Sequence, residues 1–377
     1  MPQTEQTASI DNSLQCNSCG ATLHFAPGTH QLQCTYCGAR NDIAATSDQP
    51  VVAFDYHAFI NSISSNENKQ LARIVSCKNC GATTTLPPEA NSDNCVFCTS
   101  PLVLSEAENR QFVRPHYVLP FIVTQKEALQ AFSKWLQKLW FAPSDLAKIV
   151  SDKAVQLKGL YIPHWSYDAD TTTDYTGERG DYYYTTEYYT VTENGKEVTR
   201  SREVRHTRWS YASGTVDNSF EDILISASHS LPQKVADRLE PWRLEQLVHY
   251  NEQYVSGFRS ELYQVNAESG LATAKTYMEP TIRKTIMRDI GGDEQRIQQA
   301  GITYENVAIK YLLLPAWISA YKYNNKLYHF TVNACTGEVV GARPYSALKI
   351  TLAVIAGLVI LFFIISYFAG QQHHSSY

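Results

Sequence analysis

Apolar residues recur along this chain in three rhythms, and each rhythm predicts a different element. Between residues 112 and 343 short apolar runs alternate with polar ones. HYVLPFIVT, residues 116–124, reads as a strand ending at Thr124, and TQKE then forms a capping box from Thr124 and Glu127. The helix that follows sets Ala128, Leu129, Phe132, Trp135, Leu136, Leu139 and Trp140 on one face and ends before Pro143. An aromatic stripe at helical spacing is a core face. From 159 to 228 the rhythm changes to alternation, which predicts strands, and Asn194-Gly195 between two alternating runs predicts a hairpin. The tyrosines crowded between 161 and 189 pack their rings and keep their hydroxyls wet. Arg200, Arg202, Arg205 and Arg208 are expected to pair across strands with Glu193, Glu197 and Glu203.

Helical spacing returns over 232–290, with a break at Pro241. Leu271, Ala274, Met278, Ile282 and Ile286 share one register, and Gly291-Gly292 closes that helix. In DIGGDEQRI, residues 289–297, the helix stop is followed by a new N-cap at Asp293, and a sheet resumes over 307–346 with turns at NNK and TGE. YVLPF, LYIPHW and LLLPAW each place a proline late in an apolar run, and the last two add a tryptophan two residues on. Pro163 and Pro315 lack a ladder donor, which assigns them to edge strands or strand ends. The likeness of the runs predicts two related sheet units.

The third rhythm is unbroken. ITLAVIAGLVILFFIISYFA, residues 350–369, carries no charge and at about 1.5 Å per residue spans roughly 30 Å, a bilayer's hydrocarbon thickness. Tyr345 and Tyr367-Phe368 stand where interfacial aromatics belong. Arg343 and Lys349 precede the span, while GQQHHSSY after it has neither Lys nor Arg, so the positive-inside rule puts the N-terminal part in the cytosol. MPQTEQTASIDNSLQ has no apolar core of the kind a secretory signal needs. A single-pass, tail-anchored protein is the expectation.

The N-terminal third carries the clearest chemistry. Cys16, Cys19, Cys34 and Cys37 are spaced C-x2-C-x14-C-x2-C, and Cys77, Cys80, Cys95 and Cys98 repeat that spacing 61 positions later. CGAT occurs in both copies, Pro27 matches Pro88, and Tyr36 matches Phe97, so this is an internal repeat with zinc-ribbon spacing. Each C-x2-C pair offers two thiolates from one tight turn, and Gly20, Gly38 and Gly81 allow the backbone to turn left-handed after it. Thr99 replaces glycine at the fourth turn, which is expected to be less regular. Disulfides are the competing pairing, but a cytosolic compartment keeps thiols reduced. Two Zn2+ per chain are expected, each enclosed by four thiolates and therefore structural. Cys335, the ninth cysteine, is assigned to packing.

The formal charge of −5 falls to about −9 once eight thiolates and two Zn2+ are included. Residues 12–115 hold six basic side chains against eight acidic ones, which disfavours a polyanion partner. Tyr36 and Phe97, at the knuckles, are the candidate residues for docking a protein partner. His164, Asp168, Asp170 and Asp174 form the remaining polar cluster, a candidate second metal site whose acidic spacing does not fit an EF-hand loop. There is no G-x-x-x-x-G-K-[ST] loop, no HExxH, no G-x-S-x-G and no dinucleotide glycine fingerprint.

LEPWRLEQLVHYNEQYVSGFRSELYQV, DIGGDEQRI, YIPHWSYDADTTTDYTGERGD and VNACTGEVVGARPYS resemble a poorly characterised bacterial family of zinc-ribbon membrane proteins with a single C-terminal span. That family is often labelled primosomal protein N′-like helicase or TFIIB-type zinc-ribbon protein. The resemblance runs from the second ribbon to the membrane segment and implies a bacterial inner-membrane location. The helicase activity is not carried over, because this chain lacks the motor. FTVNACTGEVVG also resembles the end of a PepSY-type hairpin, which implies a small sheet module.

The expected fold class is α+β, with two N-terminal zinc ribbons (12–44 and 73–104) joined by a linker (45–72). A domain of mixed antiparallel sheet and helix (112–343), one transmembrane helix (350–369) and a short tail (370–377) follow. The expected function is a membrane-tethered cytosolic zinc-binding scaffold that docks a macromolecular partner. Its rivals are a membrane-associated nucleic-acid-binding protein and a metal-dependent membrane enzyme using the His164–Asp174 region.

Overall fold

The structure is a computed structural model that describes residues 14–43, 49–64, 69–86, 93–146, 157–193, 195–231, 233–324 and 326–374. Asn194 and Asn325, both expected turn residues, lie outside the described residues. In chain order, β1 (Leu23–Phe25), β2 (Gln31–Cys34) and β3 (Arg40–Asp42) form a small antiparallel sheet. Next come β4 (Phe54–Asp55) and α1 (Tyr56–Ser64), then a second small sheet of β5 (Lys69–Ser76), β6 (Thr83–Thr85) and β7 (Glu108–Val113) in the order β6-β5-β7. The main domain contains β8 (Tyr117–Val118), α2 (Gln125–Gln137), β9 (Lys158–Glu193), β10 (Lys196–Ser226) and α3 (Gln233–Arg238). It continues through β11 (Val248–His249), α4 (Glu252–Val255), β12 (Arg259–Ser260), α5 (Ala267–Ile290), β13 (Glu294–Tyr323), β14 (Lys326–Asn333) and β15 (Val339–Gly341). α6 (Ala347–His374) ends the described chain. The fold is thus mixed α+β with antiparallel sheets, as the sequence predicts.

The central sheet runs β10-β9-β13-β14-β15 and is built from two copies of one unit, a short strand, a capped helix and a hairpin. The first copy is β8-α2-β9-β10 and the second β12-α5-β13-β14. Their axis of symmetry passes between Ile162 and Leu314, which face each other where β9 and β13 pair; on either side Pro163 meets Leu313 and Tyr161 meets Pro315. The hydrogen bonds repeat in the same order. Leu119 N donates to Leu313 O at 3.0 Å, and Glu261 N to Tyr161 O at 2.9 Å. Ile122 and Val123 both donate to Ala334 O, as Gln264 and Val265 do to Ala227 O. Trp317 Nε1 donates to Val123 O and Trp165 Nε1 to Val265 O, each at 2.8 Å. Thr124 and Asn266 then cap the two helices one residue on. The two related sheet units inferred from PHW and PAW are therefore present.

Both prolines lie inside the two central strands, where edge strands or strand ends were expected. At this point of β9 the backbone polar groups point toward β10, which ends at Ser226, and Pro163 O accepts from Ala227 N just beyond it at 2.9 Å. Pro315 does the same with Ala334 N at 3.1 Å, beyond the end of β14. The missing N–H faces a place where no ladder continues.

One face of the sheet is covered by the helices. Ala274, Met278, Ile282 and Ile286 of α5 pack on Trp165, Tyr167 and Tyr311, and Phe132 of α2 stacks on Phe330 at 3.5 Å. The expected capping box at Thr124 and Glu127 is present. Ala128, Phe132, Leu136 and Leu139 are buried as the stripe predicted, but Trp140 is 79% exposed because α2 ends at Gln137 and the chain has already turned. The other face, with Leu160, Ile162, Leu312 and Leu314, is covered by the second ribbon and by Leu239, Trp242 and Leu247. The inter-ribbon stretch is tied down too, since Phe54 and Asp55 pair with Ile309 and Ala308, and Tyr56 and Phe59 are buried.

Asp293 caps no helix: β13 begins at Glu294, Asp293 Oδ2 accepts from Tyr182 N at 2.7 Å, and Asp293 N donates to Gly180 O. β9 and β10 continue beyond that point as a two-stranded ribbon, because β13 joins only from the Glu294–Gly180 pair. From Asp181 to Glu193 this arm extends about 40 Å at ~3.3 Å per residue. Arg202 pairs across the strands as expected, but it and Arg205 find partners other than the expected glutamates. Arg202 sits opposite Glu187 and reaches it at 2.9 Å, and the Arg205 guanidinium lies 4.2 Å above the Tyr182 ring. Direct opposition, which places Glu203 against Thr186 and Glu197 against Thr192, decides the partners.

Gly270, on the buried face of α5, tests this packing. A methyl there would lie 2.9 Å from Trp165 Cδ1 and collide with the Tyr167 hydroxyl, which is held by Ala267 O. Gly270→Ala should lower stability by about 1–2 kcal/mol despite the gain in helix propensity. Gly301→Ala, whose nearest neighbour would be 4.0 Å away, should be near neutral in the same thermal melts.

Candidate metal centres

Each C-x2-C pair forms the same turn. Cys16 N donates to Ala21 O and Gly20 N to Cys16 O, both at 2.8 Å, and Gly20 adopts φ 74°. The turns at Gly38 and Gly81 repeat this with φ 75° and 77°. The fourth turn, expected to be irregular, follows the same path: Thr99 N donates to Cys95 O at 3.1 Å and Thr99 is driven to φ 60°. The hydrogen-bonded turn therefore outweighs the preference of the residue, and a β-branched side chain is held in a region it disfavours.

These turns bring four sulfurs together twice. Within each of the groups Cys16, Cys19, Cys34, Cys37 and Cys77, Cys80, Cys95, Cys98, all sulfurs lie within 4.8 Å of one another. Cross-pair separations are 3.6 Å for Cys16–Cys37 and Cys19–Cys34, 3.4 Å for Cys77–Cys98 and 3.6 Å for Cys80–Cys95. A disulfide would need about 2.05 Å. A metal about 2.3 Å from each of four tetrahedral sulfurs would set them about 3.8 Å apart, so both groups fit a metal ion without rearrangement. The first cysteine of every pair is buried; Cys19, Cys37 and Cys80 are exposed and Cys98 is half-buried.

The local field already favours thiolate at some positions. Backbone N–H groups of Cys37 and Tyr36 aim at Cys34 and lower its pKa to about 6. Burial opposes ionisation of Cys98, but hydrogen bonds from Ser100 and Asn79 overcome it and bring that thiol to about 6. The Ala21 amide favours the Cys19 thiolate, but hydrogen bonding with Cys37, burial and the Cys34 and Cys16 sulfurs outweigh it and push that thiol up to about 12. Two negative sulfurs cannot share so small a space without a cation between them.

The two knuckle aromatics part company. Tyr36 is 85% exposed, whereas Phe97 is 5% exposed and packs with Val96 against Leu160, Leu314 and Ala316 of the central sheet. Phe97 is therefore an anchor of the second ribbon, and the expectation that it meets a partner is corrected.

His164, Asp168, Asp170 and Asp174 are not brought together. They lie along one face of β9, and ten residues of strand set His164 and Asp174 about 33 Å apart. Each has its own partner. His164 is buried with Nδ1 on Ile162 O, and burial lowers its pKa to about 4. Asp168 meets Lys310 Nζ at 3.3 Å, Asp170 accepts from Asn306 and Ser219, and Asp174 accepts from Thr215. The enzyme reading built on this stretch loses its site. Two polar groupings escaped sequence reasoning: Lys310 between Asp168 and Asp222, and Glu261 beside Ser230. Each is assembled from distant segments, so no spacing announces it.

No protein-family model matches the chain, and no solved structure matches it, so the helicase-type and TFIIB-type labels gain no support. An uncharacterised protein of Bacillus subtilis (strain 168), YdjG, is 28% identical over 248 residues, covering 63% of this chain; the match spans 65% of that relative's length.

Thr99 offers a test of the turn. Thr99→Gly should stabilise the second ribbon by about 1 kcal/mol, and Gly81→Thr should destabilise it by about 1–2 kcal/mol, read as shifts in the chelator concentration that unfolds it.

Proposed function

We propose that this chain is a membrane-tethered, zinc-binding scaffold that docks a protein partner through its first ribbon. The observation that carries this reading is the contrast between two closed four-sulfur groups. Both fill all four positions of a tetrahedral ion with protein ligands, which suits a structural metal rather than a catalytic one. One ribbon spends its knuckle aromatic on the central sheet, while the other presents Tyr36 to solvent. An exposed tyrosine on a rigid metal-held turn is the kind of anchor that interfaces favour. The arm of β9 and β10, with Tyr184 and Tyr188 62% and 75% exposed, offers a second aromatic surface to the same partner. Nucleic acid is the disfavoured occupant, because the ribbon region carries more acidic than basic groups.

Zinc is the metal proposed, two ions per chain. For the membrane, the support is that the window Ala347–Ser366 has a mean hydropathy of 2.8 and none of it is buried by the rest of the protein. Its base is fastened: Ser346 N donates to Phe141 O and Lys349 Nζ to Ala142 O, each at 2.8 Å. That gathers exposed Trp140 and Tyr345 where α6 begins, a pairing suited to a lipid headgroup layer. Insertion with the ribbons in the cytosol follows from Arg343 and Lys349 on that side.

Elemental analysis of protein purified without added metal should return two zinc per chain; one zinc, none, or iron would reject the assignment. In spheroplasts, added protease should remove a tag placed after Tyr377 and spare the ribbons. A photo-crosslinking residue at Tyr36 should give one discrete protein adduct that is absent with the same residue at Phe97. Nucleic-acid affinity tighter than about 10 µM at physiological salt, lost on Tyr36→Ala, would replace the scaffold with a nucleic-acid binder.

A further inference from the structure

We propose, building on the reading that α6 enters a bilayer, that the junction of α2 with α6 is a docking surface for anionic phospholipid headgroups. The base of α6 is not on a free linker. Ser346 N and Lys349 Nζ bond the carbonyls of Phe141 and Ala142, so the loop after α2 is clamped to the first turn of the helix. Whatever surrounds the start of α6 therefore meets this loop as well. Trp140 and Leu348, 79% and 70% exposed, stand there with exposed Tyr345.

Cations gather at the same end of the domain. Lys134 and Lys138 are one helical turn apart on the exposed side of α2, and Lys138 comes two residues before Trp140. The Arg343 guanidinium lies 5.2 Å above the Tyr345 ring. The turn between β13 and β14 adds Lys326, which sits opposite Tyr323, and the Tyr323 hydroxyl donates to Asp145 Oδ1 at 3.1 Å. With Lys349 these make five positive side chains, and among the described residues none of the five is paired with a carboxylate. Asp145, the acid carried by the loop, is already engaged by that hydroxyl. The gathering runs against the average of the chain, which has 32 basic and 37 acidic residues. Lysines in the last turn of a helix also suit its dipole, which accounts for Lys134 and Lys138 but not for Lys326 or Arg343.

Position selects the ligand. α6 leaves the domain at this surface with none of its apolar window covered, so the polyanion brought here is the leaflet itself. Side chains at the base of a span lie within a Debye length of the headgroups, about 10 Å at 0.1 M salt. Each Lys or Arg there adds about fivefold to the affinity for an anionic surface. A zwitterionic headgroup carries its own cation and leaves these five without a counter-charge. Trp140 and Tyr345 suit the boundary between phosphate and acyl chain, and Leu348 the first apolar contact below it.

The test uses zinc-loaded full-length protein in nanodiscs of phosphatidylcholine with a minority of phosphatidylglycerol. In separate samples one lipid or the other carries a photoreactive group on its acyl chain close to the glycerol, and adducts are mapped by mass spectrometry. Adducts within 350–366 report insertion; those within 134–145 and 343–349 report the headgroup surface. Per probe molecule, phosphatidylglycerol should label the junction about tenfold more than phosphatidylcholine, while both label 350–366 alike. Added salt should erode that excess, and glycerol 3-phosphate, an anion of related chemistry without a bilayer, should not displace it. Combining Lys134→Gln, Lys138→Gln and Lys326→Gln, at three exposed positions, should bring the two lipids to about parity at the junction and leave 350–366 labelled as before. Equal labelling of the junction in the wild type, a preference that survives the triple variant, or displacement by glycerol 3-phosphate overturns the proposal and leaves insertion standing. Absence of adducts within 350–366 from either lipid overturns the membrane reading itself.

Discussion

The antiparallel pairing of β9 with β13 around Ile162 and Leu314 is the contact on which the other parts depend. Two long strands cross there, and each lends its outer edge to a short strand from the opposite unit: β8 lies along β13 and β12 along β9. The loop after each short strand is then fixed by a tryptophan and an alanine from the far unit before a helix starts. The units are therefore interlocked rather than merely adjacent. Neither helix could find its place on the sheet without the central pair, because the carbonyls that position its first turn belong to both copies. Removing β13 from β9 would free both indoles and both short strands at once.

Against that symmetric core the ribbons are used asymmetrically. The same sixteen-to-thirty-seven pattern, repeated at seventy-seven, yields the same turns and the same sulfur geometry, since four thiols and a few amide bonds determine it locally. What differs is the neighbour. The second ribbon continues into a sheet with β7 and lays Val96 and Phe97 on the core. The first is held through its hairpin, where Ser256 and Phe121 bond Leu23, Phe25 and Gly28 and leave the Cys34–Cys37 turn free. A duplicated four-cysteine module thus has one copy laid on the core and one with its knuckle in solvent.

The asymmetry continues in the space between the modules. At one end of the pseudo-symmetric pair Leu119 closes the core; at the other Glu261 borders a cavity whose walls come from both ribbons. The helix α6 is fastened to the loop after α2, whose face packs against β14, so the long apolar helix is continuous with the same sheet.

Sequence alone determined the parts whose geometry closes within a few residues. The thiol turns, the capping box at Thr124 and Glu127, the α5 stripe, the glycine stop at 291–292 and the apolar length of α6 all depend on near neighbours, and each appears where the residues place it. Even the Pro-x-Trp likeness of LYIPHW and LLLPAW foretold a second unit. Tertiary structure decided whatever depends on which distant segment arrives. Phe97 and Tyr36 occupy equivalent sequence positions, yet only one meets the sheet. Trp140 falls on the helical face by count and in solvent by chain path. His164 and Asp174 look clustered in a line of text, but a strand draws them out, while Glu261 and Ser230 are far apart in the chain and share a hydrogen bond. The physical reason is that turn and helix energies fall off within about four residues, whereas burial and counter-charge are set by long-range pairing that no local spacing encodes.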